Sequence, residues 1–160
     1  RKNDMEEFND NVLITHKEYK RIELQILLDS KVPKGTWRAG YANTENDICL
    51  FITNDKSHIM QENLKYDNSL HSDEIIQWIS QPKTYHSSSV GQMFIRHREK
   101  KMKVHIFARK YAFMNGNKTN PFIYLGQADY YKSFGDKPMT ILWKLHRKLP
   151  QELIQELYKL

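Results

Sequence analysis

The chain has 160 residues, 39% of them hydrophobic, which is enough for one domain with a real core and too little for two ordinary ones. No apolar run approaches the ~20 residues that span a bilayer, and the first ten residues are charged and acidic; neither a membrane helix nor a signal peptide is read, and a cytoplasmic location without membrane contact is expected. The single cysteine, Cys49, excludes an internal disulfide and a multi-cysteine zinc site, and its neighbours Ile48 and Leu50 make it a core residue.

The net charge of +6 suits a polyanionic partner, and the charge is localised. Asp4, Glu6, Glu7 and Asp10 dominate the start, whereas Arg96, Arg98, Lys100, Lys101, Lys103, Arg109, Lys110 and Lys118 face only Glu99 between Gln92 and Lys118. A basic surface that is merely solvated is the alternative. A start at Arg1 and a last element running to Leu160 lead us to expect a C-terminal module of a larger protein, with residues 1–12 a linker or tail of a preceding domain and 13–160 the domain itself.

Thr15 and Glu18 form a capping-box pattern, and Tyr19, Ile22 and Ile26 with Leu24, Leu27 and Leu28 have helical spacing, which predicts a helix over 16–29. After Pro33 and Gly35, strands are predicted at WRAGY (37–41) and DICLFIT (47–53), followed by a long polar loop over 54–71. Ser72 is a plausible helix cap, so a short helical turn is expected to deliver Trp78 to an extended segment. QMFIRHR (92–98) and MKVHIFARK (102–110) alternate with period two across a charged turn and predict a β-hairpin. One face would carry Met93, Ile95, Met102, Val104, Ile106 and Ala108; the other Phe94, Arg96, Arg98, Lys103, His105, Phe107 and Arg109. A turn-rich loop (115–121), strands FIYLGQADYY and MTILWKL bracketing a turn at FGDKP, and a helix from Pro150 with Leu153, Ile154, Leu157 and Leu160 on one stripe complete the chain. The fold class is α+β, with a curved, barrel-like, mainly antiparallel sheet and helices at both ends.

No Gly-rich phosphate loop, HExxH or Gly-x-Ser-x-Gly elbow is present, and the seven histidines lack ligand spacing. Asp47 followed by Asp55 and Lys56 only faintly suggests a metal-dependent nuclease strand. No catalytic residue, metal site or cofactor is therefore assigned to this domain. The basic, aromatic set of Phe94, Arg96, Arg98, Lys103 and Arg109 has the two properties that phosphate contact and base stacking require, and it is assigned to a DNA backbone. In the segment IIQWISQPKTYHSSSVGQ, Trp78 offers a flat apolar face and Gln81 an amide, a combination that frames a planar polar ring; the alternative is a buried Trp anchoring a core with Gln81 capping a loop.

HKEYKRIELQ, WRAGY, NDICLFITNDKS, QWISQ with its serine loop, HIFARK, PFIYLGQADYY and GDKPMTILWKL together resemble the uncharacterised C-terminal domain of a group of DEAD/DEAH-type helicases, most closely the SauUSI-type ATP-dependent type IV restriction endonucleases, over about residues 13 to 157. The resemblance implies an SRA-like fold of the PUA superfamily that recognises 5-methylcytosine or 5-hydroxymethylcytosine in double-stranded DNA, by base flipping. It also implies a nuclease and a helicase domain in the same chain, where ATP and Mg would be used. The family's Trp, Ser and Gln match Trp78, Ser80 and Gln81, while Ile79 and Pro82 stand where a Gln and an Asn are more usual. On that reading Trp78 is one wall of a modified-base pocket, Ser80 and Gln81 supply hydrogen bonds, Tyr66, Tyr85, Tyr130 or Tyr131 forms the second wall, and Asp67 or Asp129 accepts from the exocyclic amine. A general DNA- or RNA-binding module of a helicase, and a dimerisation or docking domain, are the alternatives.

Overall fold

The structure, a computed structural model, describes residues 12–54 and 70–158. Its elements are β1 (Glu18–Tyr19), α1 (Arg21–Leu27), β2 (Tyr41–Asn43), β3 (Asp47–Thr53), β4 (Ile75–Ile79), α2 (Ser89–Ile95), β5 (Lys103–Arg109), β6 (Phe122–Phe134), β7 (Thr140–Leu145) and α3 (Gln151–Tyr158). Most of the loop expected over 54–71, and Leu160 of the terminal stripe, lie outside the described residues. The seven strands form one sheet in the order β2-β3-β5-β6-β7-β4, with β1 added alongside β6. β3 and β5 run parallel; every other pairing is antiparallel. The class is α+β as expected, but the sheet is open: its outer strands β2 and β4 are not hydrogen-bonded to each other. None of the described helices is long and apolar enough to cross a membrane.

DICLFIT is β3 residue for residue, because it is covered on both faces and so reads as a continuous apolar run. Ile48, Leu50 and Ile52, with Val104, Ile106 and Ala108 of β5, enter the larger core, which α2 and α3 cover through Phe94, Leu153, Ile154 and Leu157. Cys49, Phe51 and Phe107 point the other way, into a smaller core with Leu13, Tyr19, Leu24 of α1, Trp37, Phe122 and Tyr124. The N-terminal helix is shorter than its predicted 16–29. Residues 18–19 form β1 instead, and the helix starts after Lys20, whose backbone N–H donates to Glu23 Oε1 at 2.7 Å.

Three expectations fail. The strand read at 37–41 does not form: β2 is Tyr41–Asn43, so of WRAGY only Tyr41 lies in a strand. Ser72 caps a turn, its hydroxyl accepting from the N–H groups of Glu74 and Ile75, and the chain enters β4 directly, so no helical turn precedes Trp78. The predicted hairpin is a helix followed by a strand: 92–98 lies in α2 and the turn after it, while β5 pairs with β3 and β6. Val90, Phe94 and His97 share a helical face as well as fitting an alternating pattern in part, and the N-cap decides between the two: the Ser88 hydroxyl accepts from Gly91 N–H at 3.1 Å. The supposed basic, aromatic face therefore does not exist. Of that set, Phe94, His105 and Phe107 are buried.

α2 is seated tightly on the loop before it. A Cβ at Gly91 would run into the carbonyl oxygen of Tyr85 and lie 3.0 Å from that of His86 and 3.1 Å from Met139 Sδ. The two nearest of these atoms are backbone and cannot swing aside, so Gly91→Ala is expected to destabilise the domain by about 1–3 kcal/mol or more, read as a lowered urea midpoint at unchanged m-value.

Candidate nucleic-acid interface

The sheet curls so that its two unpaired edges come together. Tyr41 of β2 meets Trp78 of β4 edge-on at 6.4 Å, and Phe94 of α2 stands between them, 5.3 Å from Tyr41 and 5.1 Å from Trp78. Tyr41 also lines an open cleft of about 650 Å³ formed by residues between Val32 and Asn43, among them Trp37 and Arg38, with Gln81 contributed from beyond β4. Trp37 is itself a core residue, Tyr41 and Gln81 are half-buried, and Arg38 and Asn43 are exposed, so aromatic surface, amides and a cation converge where no strand pairing intervenes. Trp78 is 1% exposed and does not line the cleft; a Cβ on Gly40 would sit 4.0 Å from its Nε1.

The segment carrying Trp78, Ser80 and Gln81 thus divides its labour. Trp78 is a core anchor and not an exposed wall. Ser80 is a buried brace: its hydroxyl accepts from Met139 N–H at 2.9 Å and donates to the Gln81 carbonyl at 3.0 Å, while its own N–H donates to the Met139 carbonyl. Only Gln81 reaches the cleft. The serine loop is tied to residues 136–139 by Lys137 N–H donating to the Thr84 carbonyl and His86 N–H donating to Asp136 Oδ1 at 2.7 Å. Tyr85 is exposed there, with Lys137 Nζ 5.1 Å from its ring centre.

The other expected pocket residues lie elsewhere. Tyr66 and Asp67 fall outside the described residues. Tyr130 is half-buried, its hydroxyl 2.8 Å from Ser133 Oγ, and Tyr131 is exposed beside Lys132. Asp129 sits on a second groove of about 320 Å³ with His97, Arg98, Lys101, Lys103 and Gln127. Its Oδ2 is 3.2 Å from His146 Nε2 and 3.7 Å from Arg98, so an imidazole and a guanidinium already flank it. Of the residues assigned to phosphate, Arg98 and Lys103 share this groove. Arg96 is exposed and bonded to Glu99, Phe94 is in the core, and Arg109 lies apart against Phe122. Sequence reasoning does not single out Trp37, Tyr41 and Asn43. They flank Gln81 only because the sheet brings β2 against β4, a contact that local pattern does not encode.

Two histidines are structural. His97 donates from Nδ1 to the Met102 carbonyl at 3.0 Å and accepts at Nε2 from Tyr130 N–H at 3.1 Å, a neutral imidazole; burial lowers its pKa, against the raising influence of the Met102 hydrogen bond and Asp129. His105 lies between Asp47 Oδ1 and the Tyr124 hydroxyl, each at 2.8 Å. Burial pushes the Asp47 carboxyl up, but the hydrogen bond and charge of His105, with Thr44 and Lys103, hold it below the ordinary value. Asp47 is therefore engaged in a packing network, and Asp55 and Lys56 lie outside the described residues.

The family model for the domain of unknown function DUF3427 matches residues 13–157. The chain belongs to this family. No curated protein matches this DUF3427 domain in sequence. Among solved structures it is similar to Arabidopsis thaliana SUVH6 in complex with SAM, at 15% identity and a TM-score of 0.50, covering 86% of this chain and 27% of that one. It is also similar to the MspJI restriction endonuclease in complex with a 27-mer oligonucleotide, at 8% identity and a TM-score of 0.49, covering 72% of this chain and 34% of that one. The domain thus spans about a third or less of these chains, and the SUVH6 likeness establishes a shared fold.

Because the folded-state pKa of Asp47 lies below its unfolded value, its contribution to stability is fully present above the ordinary carboxylate range and is lost as pH falls through the lowered value. Asp47→Asn is expected to be less stable at neutral pH and to lose stability less steeply in acid, measured as unfolding free energy from pH 7 down to the acid limb.

Proposed function

We propose that this DUF3427 domain recognises modified cytosine in double-stranded DNA, 5-methylcytosine or 5-hydroxymethylcytosine, by admitting a flipped base to the seam cleft. It would serve as the target-recognition domain of an ATP-dependent type IV restriction endonuclease whose nuclease and helicase domains, with their ATP and Mg, lie elsewhere in the protein. The observation that carries this reading is the cleft itself: Tyr41 and Trp37 offer aromatic surface, Asn43 and Gln81 offer amides, and Arg38 stands at the rim. A flipped pyrimidine needs those groups, an apolar wall for its face and paired donors and acceptors for its edge. The resemblance of the sequence to the type IV enzymes supports the choice of a modified cytosine, and the shared fold with SUVH6 is compatible with the SRA-like class. Some of the backbone contacts fall to the groove of Arg98, Lys101 and Lys103, which also holds Asp129 and has no base-sized aromatic wall.

The test is a direct comparison of one duplex with and without 5-methylcytosine, and of the matching RNA, in a single binding assay. Tighter binding of the methylated duplex is expected; equal affinity across several sequence contexts would sink the proposal. Gln81→Ala is expected to lower the modified-to-unmodified ratio by about two- to twelvefold, the worth of one hydrogen bond of about 0.5–1.5 kcal/mol, with an unchanged melting temperature. Trp78→Ala is expected to behave differently, costing about 3–5 kcal/mol of stability as a core truncation.

A further inference from the structure

Two arginines share one aromatic ring on the smaller-core side of the sheet. The guanidinium carbon of Arg21 lies 5.0 Å from the centre of the Phe122 ring and 4.7 Å from that of Phe51, and the guanidinium carbon of Arg109 lies 4.1 Å from Phe122. Arg109 is fixed in place: Nε donates to Thr53 Oγ1 and Nη1 to the Asn120 carbonyl, both at 2.9 Å. Arg21 donates from Nη2 to the Ala39 carbonyl at 3.2 Å, and its buried Nε has no partner.

All of these acceptors are neutral. Among the described residues no carboxylate forms an ion pair with either arginine, although Glu18 and Glu156 line the same small cavity as Arg109. Burial, with the charge of Arg21 added, pushes Arg109 down to about 10, and burial lowers Arg21 as well. Two half-buried cations held on one ring repel each other and have given up part of their hydration, a cost that an anion between their remaining N–H groups would offset. Stacking on Phe122 covers the face of each guanidinium and leaves for such an anion the donors not already bonded, Nη2 of Arg109 and Nη1 of Arg21 beside its unpartnered Nε.

We propose that Arg21 and Arg109 form a phosphate-binding site built on Phe122, and, resting on the reading of the domain as a DNA reader, that it takes a backbone phosphate of the strand whose base enters the seam cleft. The link between the two sites is Ala39, which accepts from Arg21 and lines the cleft. A guanidinium pair suits the two non-bridging oxygens of a phosphodiester, and its hydrogen bonds are charge-assisted.

Thermal unfolding in sodium phosphate and in sodium chloride at matched ionic strength tests the site without DNA. A saturable, phosphate-specific rise in Tm is expected for the wild type, and its loss in Arg21→Gln and Arg109→Gln. Should a Gln variant fail to fold, Arg→Lys at the same position keeps the charge and removes the planar fork, and a weakened phosphate effect is expected. No phosphate-specific rise in the wild type, or an equal rise in a folded variant, would overturn the proposal. With DNA, the folded Gln variants are expected to weaken modified and unmodified duplexes alike and to make the slope of log K against log salt shallower by about 0.9 for each phosphate that is no longer neutralised. An unchanged slope with a lost preference for modified DNA would overturn the phosphate role. A wild type that gains stability from phosphate yet shows no preference for modified DNA would keep this site and remove the base-reading proposal instead.

Discussion

The ring contacts around Phe94 hold the two ends of the sheet together. Strands β2 and β4 are the first and last in the sheet order and share no ladder, yet Tyr41 and Trp78 both lean edge-on against Phe94, and Trp143 of β7 meets the same ring at 6.2 Å. Edge-to-face pairs of this kind are worth about 0.5–1.5 kcal/mol each beyond the area they bury. They substitute for the backbone hydrogen bonds that would have closed a barrel, and they leave the seam wide enough for a cleft. The position of α2 is consequently as important as that of any strand. Its Ser88 cap and the contact of Gly91 with the 85–86 carbonyls set the depth at which Phe94 enters.

How much of this is legible in the sequence depends on whether an element's environment is uniform along its length. β3 and α3 are legible, the first as a fully buried β-rich run and the second from its Leu153, Ile154 and Leu157 stripe. Alternation fails at 92–98 because a seven-residue helix with Phe94 inward offers only two turns, too few for a period of 3.6 to separate from a period of 2. It also fails to sort β5. Sorting by alternation presumes one wet face, whereas β5 runs between β3 and β6 with a core on either side, so His105 and Phe107 are as buried as Ile106.

The candidate site is legible only in part for a related reason. Trp78, Ser80 and Gln81 are consecutive in purpose but not in environment: in a strand that borders the core, a buried indole is followed by a hydroxyl bonded to the neighbouring chain segment and then by an amide that emerges at the seam. The residues around that amide, Trp37, Tyr41 and Asn43, are about 40 positions away in the chain. Their meeting is set by tertiary curvature, which neither propensity nor spacing reports.

The polar residues of the interior sharpen the contrast between groups that serve the fold and groups that are left over. His105 has Asp47 and Tyr124, and His97 has Met102 and Tyr130; each imidazole nitrogen has its partner, so these side chains have little left to offer a ligand. Arg21 and Arg109 are the opposite case, fixed by neutral acceptors and stacked on Phe122 with their charge uncompensated among the described residues. Folding alone gains little from placing two cations on one ring, because each raises the cost of the other and both give up hydration. Reuse of the same donors in binding, as proposed, would offset that cost, and a fixed guanidinium loses less freedom when it binds than a free lysine would. Rigidity obtained from Thr53, Asn120 and Ala39 is thus the feature that suits this pair to the anion proposed for it, and its connection through Ala39 to the cleft wall would let the proposed backbone and base contacts be made by one rigid surface.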